Sequence, residues 1–158
     1  MLFQIKRFSL LLLILFIGCS DNKNSSSMKK IHWDRDMCEY CKMVVSDRSY
    51  AVEVINPKTN RYYLFDDIGC TILWFKQNNI AWEKDAIIYI SDAKTQKFIN
   101  AKEAYYTLGK LTPMDYGFSA YKSKDEVKAK EFFRYDEMRL KILRGETMQN
   151  PSIRKVYK

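Results

Sequence analysis

The residues most able to do chemistry sit in one short stretch, Asp36-Met37-Cys38-Glu39-Tyr40-Cys41-Lys42-Met43. Two thiols lie three apart and a thioether follows two positions later, so soft donors are concentrated within a single turn. Calcium and magnesium take oxygen ligands, whereas copper(I) is a soft ion served by thiolates and thioethers. In an extended or turning backbone Cys41 and Met43 point the same way, because side chains repeat every two residues. A tight turn would bring Cys38 to them. Other uses of a cysteine pair fit less well. A zinc ribbon needs a second pair of ligands, and only Cys70 and His32 are available. A c-type haem site needs His directly after the second cysteine, where this chain has Lys42. A thioredoxin-like redox pair opens a helix after a strand, but here the pair precedes the strand-like Met43-Val44-Val45. A Cys38–Cys41 disulfide would close a very small ring. Zinc, redox pair and disulfide stand as alternatives to copper ligation.

The start of the chain says where this chemistry would take place. Lys6 and Arg7 precede the apolar run Leu10-Leu11-Leu12-Leu13-Ile14-Leu15-Phe16-Ile17-Gly18, the layout of a signal peptide over residues 1–18. A helix spanning a bilayer needs roughly 20 apolar residues, more than this run supplies. Phe16-Ile17-Gly18-Cys19-Ser20 resembles the lipobox of bacterial lipoproteins, which implies cleavage before Cys19 and a lipid on its thiol. Residues 19–30, polar and Ser/Asn-rich, then read as a flexible tether. The expected location is the periplasmic face of a membrane, and Ser20 after the lipidated cysteine points to the outer membrane by the enterobacterial sorting rule. With Cys19 lipidated, three cysteines would remain for the folded part, Cys38, Cys41 and Cys70. An odd count in an oxidising compartment leaves at least one thiol outside any internal disulfide, and metal ligation would account for it.

Loss of Lys6 and Arg7, with no acid in the leader, would lower the formal charge from +8 to +6. The remaining basic residues are spread out, and an exported chain is not expected to meet nucleic acid. A solvated face, an anionic membrane surface or an acidic protein suits that charge. No Gly-rich phosphate loop, Ser-His-Asp order or paired-carboxylate signature occurs, so no catalytic residue is assigned and a non-enzymatic role is expected.

The elements that must position these donors are short. Tyr50–Ile55 and Arg61–Phe65 flank the turn Asn56-Pro57-Lys58-Thr59-Asn60 and predict a hairpin. Asp66-Asp67 predicts an N-cap for a helix from Ile68 to Gln77, closed by Asn78-Asn79. A second set follows: strands at Ala86–Ile90 and Lys97–Ile99, a short helix around Ala101–Tyr106, and a strand at Tyr116–Tyr121. Ser123-Lys124-Asp125-Glu126 has capping-box spacing and predicts a long C-terminal helix ending at Gly145. The basic tail, residues 146–158, is expected to be loose. The class is α+β, and the order hints at two small ββα(β)-type halves packed together, with a C-terminal helix.

Several of these segments together resemble a known family. Cys38, Cys41-Lys42-Met43, Asp47, Tyr50-Ala51, Phe65-Asp66-Asp67-Ile68-Gly69-Cys70 and Thr112-Pro113-Met114-Asp115-Tyr116-Gly117-Phe118-Ser119-Ala120-Tyr121 are similar to NosL-type lipoproteins. The likeness covers roughly residues 34–130 of a domain read as 31–145. It implies a Cu(I) chaperone, in two ββαβ-type halves, that delivers copper to nitrous oxide reductase in the periplasm. Residue by residue, it implies that Cys41 and Met43 hold the copper ion and that Met114, after Pro113, is the ligand from the second half. Cys38 is a further candidate ligand, less general in the family, and Cys70 and His32 stay open. Met37, Met138 and Met148 read as packing or surface residues. A thiol–disulfide oxidoreductase using Cys38 and Cys41, and a general copper-storage or resistance lipoprotein, are the rival functions.

Overall fold

Alternation of β-branched and aromatic residues around an Asn/Pro turn builds the first unit. In the computed structural model, which describes residues 28–157, strands β1 (Val52–Ile55) and β2 (Tyr62–Phe65) pair antiparallel, with Val52 opposite Phe65. The proposed leader and Cys19 lie outside the described residues, as does most of the tether. Asn56 starts the turn by accepting the Lys58 amide on its side chain at 2.9 Å, and Asn60 takes the left-handed conformation, φ 55°, that asparagine tolerates. Helix α1 (Ile68–Gln77) follows at once. Asp67 is its N-cap, accepting the Gly69 amide at 3.0 Å, and Asn78 closes it.

The next hairpin, β3 (Ile87–Ser91) and β4 (Phe98–Asn100), does not form a separate sheet. β3 pairs antiparallel with β1, Val54 opposite Ile88, giving one four-stranded sheet in the order β2-β1-β3-β4. Being central, β1 is buried along its whole length, Glu53 included. Strands β5 (Tyr105–Leu108) and β6 (Phe118–Tyr121) make a second, two-stranded sheet. It is joined to the first where the Ala93 amide donates to the Ala120 carbonyl at 2.8 Å. Helix α2 (Tyr135–Leu143) packs on α1, and a short helix, α3 (Pro151–Tyr157), is the last element of the described residues. Trp74, Phe75, Trp82 and Tyr63 interlock between α1 and the sheet, with ring centroids 4.6–6.1 Å apart. No helix among the described residues is long and apolar enough to cross a membrane.

The class is α+β with a C-terminal helix, as expected. Three local expectations differ. Residues 101–103 form a turn rather than a helix, and Tyr105-Tyr106 belong to β5. The predicted long helix is divided: Ser123 caps a single 3-10 turn, Lys124–Glu126, and Val127 then returns to extended backbone. Phe133 pairs with Tyr106 instead, exchanging backbone hydrogen bonds of 2.8 and 2.9 Å, and α2 begins only afterwards. The tail is not loose, for Met148 is buried and Pro151–Tyr157 is helical.

Candidate metal centre

The Cys-x-x-Cys stretch is a tight hairpin. The Val45 amide donates to the Asp36 carbonyl at 2.9 Å and the Cys38 amide to Met43 at 2.7 Å, so Cys38 faces Met43 across it. Lys42 sits at φ 61° and closes the turn onto the Cys38 carbonyl at 3.1 Å. The Glu39 amide donates to the Leu64 carbonyl at 2.8 Å, which fastens this turn to the end of β2. Two residues after Leu64 comes Asp66, and Cys70 is the third residue of α1. Turn, strand end and helix start therefore converge.

At the convergence the sulfurs of Cys38, Cys41 and Cys70 and a carboxylate oxygen of Asp66 all lie within 4.8 Å of one another. Cys38 and Cys70 are fully buried, Asp66 is 2% exposed, and Cys41 is half-buried and opens the cluster to solvent. The Cys41 thiol donates to Asp66 Oδ2 at 3.3 Å, while Asp66 Oδ1 has no partner although it is buried. An orphaned buried carboxylate oxygen among three free thiols is a costly arrangement unless something else binds there. The thiols are strongly interdependent. Hydrogen bonding from Cys70 holds the Cys38 thiol down to about 7, and the same contact pushes Cys70 up. Burial pushes Cys41 up to about 12.

The expected ligands are distributed as follows. Cys38 and Cys41 are in the cluster. Met43 lies opposite Cys38 on the hairpin and is 52% exposed. Met114 is half-buried on a loop whose start is fixed to Asp67, the neighbour of Asp66. Asp67 Oδ2 accepts the Thr112 hydroxyl at 2.5 Å and the Met114 amide at 3.3 Å. His32 is exposed, with Nδ1 3.5 Å from Asp36, and does not join the cluster. Of the other methionines Met138 is buried in the core, Met148 is buried against the Met114 loop, and Met37 is exposed.

Two members of the cluster, Cys70 and Asp66, lie outside the ligand set the sequence predicts. Sequence alone leaves Cys70 open, because a half-buried helix cysteine needs no function. Asp66 reads together with Asp67 as a capping pair, yet one helix start uses one N-cap residue, here Asp67. The second aspartate, lying between an apolar strand and an apolar helix, was the available signal.

A family model described as NosL matches residues 30–140. The chain belongs to the NosL family. The match takes in the hairpin, α1 and the Met114 loop, and stops within α2. Among solved structures, the copper chaperone NosL from Shewanella denitrificans is similar, with a TM-score of 0.49 and 14% identity, covering 70% of this chain and 94% of that one. The sequence is similar to none of the curated proteins compared with it. Within this NosL-family chain, the thiol cluster and the Pro-Met loop meet at one point, the start of α1.

Proposed function

We propose that this NosL-family chain is a membrane-anchored Cu(I) carrier, not an enzyme, that delivers copper to a periplasmic copper enzyme. Family membership favours nitrous oxide reductase as the recipient. The observation that carries the reading is the convergence of three free thiols and a buried, half-satisfied carboxylate within 4.8 Å. Cys41 is the entry ligand, being the thiol open to solvent, with Cys38 and Cys70 behind it and Met43 and Met114 as thioether donors at its margins. Thiolates and thioethers suit Cu(I), whereas the hard Asp66 oxygen suits it poorly, so Asp66 acts by holding Cys41. A half-exposed ligand lets an incoming donor add before an old one leaves, which release to a partner requires. The lipid on Cys19 would keep the carrier at the membrane, facing the periplasm from the outer membrane.

The dithiol-oxidoreductase reading fits these thiols badly. An attacking cysteine should be both accessible and easily ionised. Here the ionisable thiol, Cys38, is fully buried and the accessible one, Cys41, is pushed up to about 12.

The test is an anaerobic titration of the purified protein with Cu(I) and with Zn(II), followed by mixing the copper-loaded protein with copper-free nitrous oxide reductase. Preference for Cu(I) and gain of copper by the enzyme support the proposal. Equal or tighter Zn(II) binding that Met43→Leu leaves unchanged would identify a structural zinc site. Copper that stays on the carrier would favour storage.

A further inference from the structure

The loop carrying Met114 is held from two sides. At its base the Gly109 and Lys110 amides both donate to the Gly117 carbonyl, at 3.1 and 3.3 Å, and Asp67 fastens its inner edge. The outer side is covered by the C-terminal segment, which lies beyond residue 140 where the family match stops. Gln149 Nε2 donates to the Met114 carbonyl at 2.7 Å. The Met148 amide donates to the Tyr116 carbonyl at 3.2 Å. Arg154 pairs with the Asp115 carboxylate, and its Nε donates to the Met148 carbonyl at 2.8 Å. Two glycines admit this close approach. A Cβ on Gly117, which is at φ +85°, would lie 2.1 Å from Met148 Cγ, and one on Gly109 would lie 3.2 Å from Tyr157 Cβ. The segment thus touches Met114, Asp115, Tyr116 and Gly117 in succession.

We infer that Gln149 and Arg154 are positioning residues for Met114, and that the C-terminal segment is a strap holding the thioether-bearing loop in place before copper arrives. The inference rests on the reading of Met114 as a copper donor. A donor on an ordered loop binds without further loss of freedom, whereas a donor on a loosened loop must be ordered by the ion, at the expense of affinity. The strap touches none of the thiols directly, but Met148 also holds Tyr116, whose ring packs on Gly69 beside Cys70, so the Met114→Leu background is what separates a route through Met114 from one through Tyr116.

The test is Cu(I) affinity, measured anaerobically on the purified protein by competition with a chromophoric Cu(I) chelator. Wild type, Gln149→Ala, Arg154→Ala and Met114→Leu are compared, together with each strap variant in the Met114→Leu background. Both strap residues are at least partly exposed, so their variants are expected to fold, and thermal melts check this. The expected result is a loss of about two- to tenfold for each strap variant, the scale of ordering one flexible side chain or loop. In the Met114→Leu background the strap variants should cause no further loss. Strap variants that bind as wild type, or that lose affinity equally in both backgrounds, would overturn the inference while leaving Met114 as a donor. Met114→Leu that binds as wild type would instead overturn the donor reading, and the strap's role with it.

Discussion

Gly69 is where the thiol cluster, α1 and the Met114 loop press closest, and substituting it tests that packing. A Cβ placed on Gly69 would meet Tyr116 ring carbons at 2.1, 2.1 and 2.6 Å. Ordinary carbon contacts are about 3.5–4.0 Å, so the ring must retreat by roughly 1.5 Å. It has little room, since Tyr116 is 5% exposed and its carbonyl is held by Met148. On an exposed helix, replacing Gly by Ala gains about 1 kcal/mol. Overpacking costs about 1–3 kcal/mol and should outweigh that gain. A contact as short as 2.1 Å belongs at the upper end of that cost, so Gly69→Ala is expected to lose roughly 1–2 kcal/mol net, read as a Tm lowered by about 3–8 °C. In a Tyr116→Ala background, with the ring gone, the sign should reverse and Gly69→Ala should stabilise. Urea denaturation and thermal melts of the four proteins make the comparison. Gly69→Ala as stable as wild type, with no reversal in the second background, would refute the packing argument.

Thr112→Val removes the hydroxyl that donates to Asp67 and accepts the Gly117 amide at 3.1 Å. It should destabilise by about 1–3 kcal/mol in a denaturant titration, the usual cost of stranded buried groups. Glu53 is fully buried with Oε2 unpartnered, and burial holds its carboxyl above the usual range. A raised folded value makes its contribution fullest in acid and removes it as pH rises through that value, so wild type loses stability that Glu53→Gln keeps. The advantage of Glu53→Gln should grow as pH climbs from about 4 towards neutrality, and a pH-independent difference in Tm would contradict this. Radiolabelled fatty acid should enter the wild-type precursor and not Cys19→Ala, and label persisting without Cys19 would rule out the anchor.

How far the sequence could be read depended on whether partners were local. The Asn56–Asn60 turn and the Asp67 cap were legible because each is satisfied within three or four residues. Tyr106 reads as helical but is a strand residue, because its partners, Ala120 and Phe133, lie far along the chain. The same Phe133 pairing cut short the helix expected from Ser123. In the site, the Cys38–Met43 turn announced itself by composition. Cys70 and Asp66 became part of it only because Glu39 pairs with Leu64 and brings the turn over the start of α1. The strap was illegible for a related reason: two glycines and a basic tail look unremarkable until Met148 and Tyr157 are seen lying against them.

The central claim is that copper binds where the distant Cys70 converges on the Cys38–Cys41 turn, and the count of Cu(I) bound per chain tests it most directly. Anaerobic titration of reduced wild type should end at one Cu(I) per chain. Cys41→Ser should nearly eliminate binding, and Cys70→Ser should weaken it severely although Cys70 is 29 positions away in sequence, with both variants melting like folded protein. Cys70→Ser that binds Cu(I) as wild type, while Cys38→Ser or Met43→Leu does not, would confine the site to the hairpin and contradict the account.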